Sequence, residues 1–173
     1  LTYTAVMVHD DDILDQSTLQ KIEAMTQDFS EAKGVSDVIS LTNIKDIKGG
    51  ATGITVNEFI DEIPETESEI ESLKNQLSNE EQYVGKIFTP DFKDSMILVK
   101  FEDQEEPEVV VSRIRNIVSQ YEGPEEFYLA GTPVIVTDAT NYMKRDLSRL
   151  LPFVIAAIIA VLYISFRSKR GVI

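Results

Sequence analysis

Apolar residues recur along this chain with two periods, and the changes between them lay out its elements. Residues 3–9 (YTAVMVH) are rich in β-branched and aromatic side chains and predict a strand. Leu19, Ile22, Met25 and Phe29 then recur at helical intervals, which predicts an amphipathic helix over residues 17–33 that ends near Gly34. Ser17 and Gln20 stand in capping-box spacing at its start. Residues 35–47 (VSDVISLTNIKDI) alternate with period two and predict one strand, broken by Gly49, Gly50 and Gly53. A further strand is expected over residues 96–101 (MILVKF). Pro107 opens a helix that carries Val110, Ile114, Ile117 and Tyr121 on one face and is closed by Gly123 and Pro124. Residues 126–130 (EFYLA) predict the last strand.

The order strand, helix, strand, insert, strand, helix, strand is the βαββαβ succession of an α+β, ferredoxin-like domain. It predicts both helices on one face of an antiparallel sheet, with the strands in the spatial order fourth, first, third, second. The insert, about residues 49–95, exceeds what a hairpin needs. Within it, a strand is expected over residues 54–60 and a helix over 65–77, with Ile70, Leu73 and Leu77 on one side.

The pattern changes character at the end of the chain. Residues 150–166 (LLPFVIAAIIAVLYISF) are 17 positions without a charge, flanked by Arg149 and by Arg167, Lys169 and Arg170. At roughly 1.5 Å per residue they span about 25 Å as a helix. Leu147, Ser148 and a snorkelling Arg149 extend that toward the roughly 30 Å of a hydrocarbon core. The stretch therefore predicts a transmembrane anchor that runs from Leu150 through Pro152 and Phe153. Tyr163 and Phe166 suit the interface, and Arg167, Lys169 and Arg170 form a cytoplasmic stop under the positive-inside rule. Pro152 either opens a new helical segment or kinks the helix. One nearly continuous helix is expected from about Val134 to Arg167, with Asp138, Asn141, Lys144 and Arg145 in its extracytoplasmic part. The expected organisation is thus a domain over 1–132, a lead-in helix over 133–149, the span over 150–166 and a cytoplasmic stub over 167–173. Residues 1–146 lie on the extracytoplasmic side of an inner or cytoplasmic membrane. Leu1 is not an initiating Met, so an upstream signal or transmembrane helix is expected, and with it a larger membrane protein of which this chain is a piece.

Charge sharpens this picture. The net charge is −14, yet residues 1–143 carry ten Lys and Arg against 29 Asp and Glu, while residues 144–173 carry six against one. An acidic body with a short basic end argues against a nucleic-acid partner, which needs a basic face. There is no Cys, no Trp and a single His, which leaves little for the common catalytic constellations, so no enzyme, cofactor or metal is expected. His9 with Asp10, Asp11, Asp12 and Asp15 is the nearest approach to a cation site, but no EF-hand spacing follows. These acids read instead as a helix N-terminus favoured by the dipole. Glu102, Asp103, Glu105, Glu106 and Glu108 read as a charged turn, and GGATG lacks the Lys and Ser/Thr of a phosphate loop.

Longer stretches carry a likeness. HDDDILDQSTLQKIEAM leads into GVSDVISLTNI; NEFIDEIP precedes YVGKIFTPDFKDSMILVKF; and YLAGTPVIVTDATNYMKRDLSRLLPFVIAAIIAVLYISFRSKRGVI closes the sequence. Together these resemble the first extracytoplasmic (porter) loop and second transmembrane helix of the resistance-nodulation-division (RND) superfamily, in its MMPL-like branch. A Gly-x-Pro turn, an acidic residue, a long helix and an FRSxRG exit form the most specific combination. The chain departs from the family's usual Asp-Gly turn, having Phe92, Lys93 and Asp94 there. The resemblance implies a proton-driven exporter of lipids or hydrophobic compounds, whose proton-relay residues fall outside this chain. Its partners would be the bilayer, the remaining helices and porter domain, and a lipid or hydrophobic substrate. A membrane-anchored binding or sensing module is the alternative. The apolar tail also predicts self-association of the isolated chain.

Overall fold

In this computed structural model the described residues are 2–50, 53–60, 62–102, 105–121 and 123–167. Ten elements follow in order: β1 (Thr2–His9), α1 (Gln16–Glu31), β2 (Val35–Ile39), β3 (Lys45–Gly50), β4 (Gly53–Glu58), α2 (Glu67–Ser78), β5 (Asp94–Phe101), α3 (Pro107–Val118), β6 (Glu126–Ala130) and α4 (Thr132–Arg167). Two compact units result, Leu1–Ile135 and Val136–Ile173.

The first unit is α+β. Its four-stranded sheet has the order β2-β5-β1-β6, and every neighbouring pair is antiparallel. Leaving the insert aside, this is the expected order of fourth, first, third and second strand. Register explains why one face is dry. Thr4, Val6 and Val8 of β1 lie opposite Val99, Ile97 and Ser95 of β5, and all six are buried. Their neighbours Met7, Met96 and Leu98 point the other way and are only half-buried. Leu19, Ile22, Met25 and Phe29 of α1 and Val110, Ile114 and Ile117 of α3 join the buried strand residues in one core. Pro107 occupies the first turn of α3, where its missing N–H costs nothing.

Three boundaries differ from the sequence reading. Residues 35–47 are not one strand. β2 ends at Ile39, and a turn follows in which the Asn43 side chain takes over backbone roles. Its Oδ1 accepts from Ser40 N at 2.7 Å, and its Nδ2 donates to Val38 O at 2.7 Å. β3 then pairs with β4 in a separate hairpin, so the insert starts after Ile39 instead of near Gly49. Gly49 and Gly50 lie within β3, and Gly50 pairs with Gly53 of β4. The α1 start also differs: Asp15 is the N-cap, with no side-chain cap bond, and Ser17 Oγ donates to Asp15 Oδ2 at 2.8 Å.

The true capping box lies on α2. Thr66 Oγ1 accepts from Glu69 N at 3.3 Å, while Glu69 Oε2 accepts from Thr66 N at 3.1 Å. The departure from Asp-Gly has a structural answer as well. Phe92 itself takes the left-handed conformation, at φ 55°, that glycine usually supplies. For an L residue this costs about 1–2 kcal/mol. Burial of the ring offsets the cost: Phe92 stacks on Phe88 with centroids 5.5 Å apart, and Lys74 Nζ lies 5.1 Å from its centroid.

Candidate functional site

α4 is built from 36 residues and contains Pro152 in its interior, so the helix continues through the proline without a new segment opening there. Pro152 removes one intrahelical donor, which leaves the carbonyl of Ser148 without its usual partner. The Ser148 hydroxyl donates to Lys144 O at 2.8 Å one turn earlier. Leu150, Pro152, Phe153, Tyr163 and Phe166 all lie on this helix and all are exposed, Phe153 at 74% and Phe166 at 83%. Apolar side chains at Leu151, Val154, Ile155, Ile158, Ile159, Val161, Leu162 and Ile164 are exposed around every side, so the helix has no polar face in this stretch. It is the one described helix long and apolar enough to cross a membrane. Arg167 is its last residue; Lys169 and Arg170 lie outside the described residues.

The chain reaches this helix from β6 through a single residue, Gly131, at φ 122°. A Cβ at that position would lie 2.7 Å from Tyr3 O and 3.2 Å from Thr4 Cα, both backbone atoms of β1. Only glycine lets the chain pass so close to the central strand.

The acidic start of the chain is taken up by local bonding. Asp10 accepts from Asp11 N at 2.7 Å and from Thr18 Oγ1 at 2.6 Å; Asp12 accepts from Leu14 N at 3.0 Å. His9 turns away from these acids and meets Asp94 on the neighbouring strand, Nδ1 to Oδ1 at 2.7 Å. Asp103 lies outside the described residues; Glu105 pairs with Arg113 at 3.6 Å.

Two arrangements have no local sequence signal. Lys21 of α1 donates to both carboxylate oxygens of Glu125, at 2.7 and 2.5 Å, across 104 positions of sequence. The Glu125 side chain is 1% exposed and that of Lys21 27%. Tyr121 donates to Asp28 Oδ2 at 2.6 Å, tying the segment after α3 to α1. Burial first, and then this bond, push the phenol up to about 12. The third feature is an open groove of about 720 Å³ between α1, α2 and the stretch after β4. On its α2 side the backbone N–H of Glu65, and then Thr66, hold the Glu69 carboxyl below the usual range.

An α+β domain followed by a helix long and apolar enough to cross a membrane points to association with a membrane. The sequence matches the model of the MMPL family over residues 11–172, and the chain belongs to that family, whose members are RND-type transporters and not enzymes. No curated protein matches it.

Proposed function

We propose that the chain is the extracytoplasmic porter domain and adjoining membrane helix of a proton-driven exporter of lipids or other hydrophobic compounds. The observation that carries this reading is α4, which follows β6 after one residue and then presents 17 uncharged positions, 150–166, with no polar face. Such a surface is stable in lipid and costly in water. The basic residues Arg167, Lys169 and Arg170 set the orientation, with residues 1–146 outside an inner or cytoplasmic membrane. Tyr163 and Phe166 anchor the cytoplasmic interface, and the partners are the bilayer, further transporter helices and a second porter domain. The acidic body is unsuited to nucleic acid. Family membership favours transport over an anchored binding or sensing module.

Residues 1–173 hold no Cys, so in the full-length protein, with any other Cys replaced, single Cys substitutions report sidedness. Ser68→Cys on exposed α2 and Ser168→Cys beyond α4 are each labelled in intact cells with a membrane-impermeant maleimide. Labelling of position 68 alone is expected. Labelling of 168 alone, or of both in intact cells, refutes the orientation and with it the extracytoplasmic porter role.

A further inference from the structure

Met7 and Met96 face each other across the two central strands, on the side of the sheet turned away from α1 and α3. They are register partners of β1 and β5, and both are half-buried. They also line one small hollow of about 60 Å³, which Ile87 and Phe88 of the segment before β5 line as well. His9 stands two positions beyond Met7 and Asp94 two positions before Met96, so these two form a second register pair on the same face. Two thioethers, an imidazole and a carboxylate thus occupy the corners of one cross-strand square.

The His9 contact decides which ring nitrogen is available. Nδ1 lies 2.7 Å from Asp94 Oδ1. An ionised carboxylate only accepts, so Nδ1 carries the hydrogen, and in the neutral ring Nε2 keeps its lone pair. Metal-binding histidines are held in this way, by a carboxylate on the second nitrogen. The thioethers decide which metal. They are soft donors that select ions such as Cu(I), and imidazole suits copper as well. Residues 1–173 hold no Cys, so within them no thiolate competes for a soft ion. His, Cys and acidic side chains form no metal group of their own among the described residues, which disfavours a hard divalent ion.

We propose that Met7, Met96 and His9 bind one monovalent soft metal ion, Cu(I) or Ag(I), with Asp94 as the positioning residue that orients the imidazole. Adjacent strands stand about 4.8 Å apart, and alternate residues of one strand about 6.6–6.8 Å. Side chains at that spacing close on one ion by rotation about their own bonds, and the unbranched Met side chain is the most adaptable in this respect. Asp94 lines the hollow and supplies a compensating negative charge. Lys86 lines it too, but is exposed, and its long stem lets the ammonium stay in water. Glu126, opposite His9 on β6, adds a second carboxylate at this end of the sheet, where it accepts from the Tyr128 hydroxyl. The inference concerns binding and does not depend on which compound the transporter moves.

The test uses the full chain in phosphatidylcholine nanodiscs and chloride-free buffer, with ¹³C in the Met methyl groups for nuclear magnetic resonance and silver nitrate as the probe. The chain has four Met, so Met25, buried in the core, and Met143, 72% exposed on α4, serve as internal references. The Met7 and Met96 methyl signals are expected to move together and to saturate at one Ag(I) per chain, while those of Met25 and Met143 hold still. Met7→Leu and Met96→Leu nearly conserve side-chain volume. Each of them, like His9→Gln, is expected to weaken Ag(I) binding about tenfold or more, and Met143→Leu to leave it within about twofold. A Met143 signal that moves with the same midpoint reduces the effect to isolated thioethers and overturns the site. Unmoved Met7 and Met96 signals overturn it too, as does Zn(II) binding as tight as Ag(I) binding, or unchanged affinity in His9→Gln.

Discussion

Substituting Gly131 by Ala tests the junction between sheet and helix at one atom. Two costs are incurred. A φ of 122° lies where only glycine is at ease, and holding another residue there costs about 1–3 kcal/mol. The new methyl lies 2.7 Å from Tyr3 O, and the obstacle is backbone, with no side chain that can swing away. Tyr3 is held in the central strand by pairing with Lys100, and nearby Ala5 pairs with Ala130, so yielding there disturbs two strand pairs at once. Overpacking of this kind adds about 1–3 kcal/mol. The sum, roughly 2–6 kcal/mol, is a large share of the about 5–15 kcal/mol that holds a domain folded. Gly85→Ala separates the two costs, because Gly85 also has positive φ, at 73°, but a methyl placed there would meet nothing within 4 Å. Urea unfolding of both variants, followed by circular dichroism in a mild detergent, reads the difference. Gly131→Ala is expected to lose about 1–3 kcal/mol more than Gly85→Ala. Equal losses would falsify the close-approach argument and leave only backbone strain.

Glu125→Ala strands Lys21 at a partly buried site; a fully buried broken pair costs about 3–5 kcal/mol, and the exposure of Lys21 lowers this to about 1–3. The double variant with Lys21→Ala should recover part of that loss in the same unfolding assay, and no recovery would mean that the pair is not coupled. Tyr121 should titrate near 12 by ultraviolet absorbance while an unfolded tyrosine titrates near 10. Because the folded value is the higher one, its stabilising contribution is complete below about pH 10 and is lost as pH rises toward 12. Asp28→Asn should lower the Tyr121 value, and an unchanged titration would contradict the bond to Asp28. Finally, light scattering in detergent-free buffer should find the full chain self-associated and a chain ending near Tyr142 monomeric. Burial of each Leu or Ile of the apolar stretch is worth about 1.5–3 kcal/mol, and two monomers of one shape would show that the tail is covered within the chain.

Much of the sheet was legible because alternation and burial agree. β5 is buried at every second position from Ser95 to Phe101, so MILVKF reads correctly from its pattern alone. The β2–β3 boundary was not legible, since the period of two continues through Leu41 and Thr42 while Asn43 bends the chain with its own side-chain bonds. The capping spacing was present twice, at Ser17 and at Thr66; the second closes because Glu69 reaches back, whereas Asp15 displaces the first. Of the candidate site, the apolar stretch needs only local composition and was read directly. Both the Lys21–Glu125 pair and the groove join segments far apart in sequence, and no local pattern encodes them.

The place of β1 in the sheet has a consequence for biosynthesis. It is made first among the strands, yet both of its neighbours come late: β5 begins at Asp94 and β6 ends at Ala130. A ribosome adding roughly 5–20 residues per second needs about 5–18 s to pass from the end of β1 to the end of β5. Through that interval a strand of Val6, Met7 and Val8 has two open edges and no sheet to join. Helix α1 forms from local contacts and can shelter one face of it, but not its edges. The nascent domain is therefore most exposed to mispairing before its last strand appears, and a holding chaperone would act on β1, far in sequence from the helix that most resembles a client.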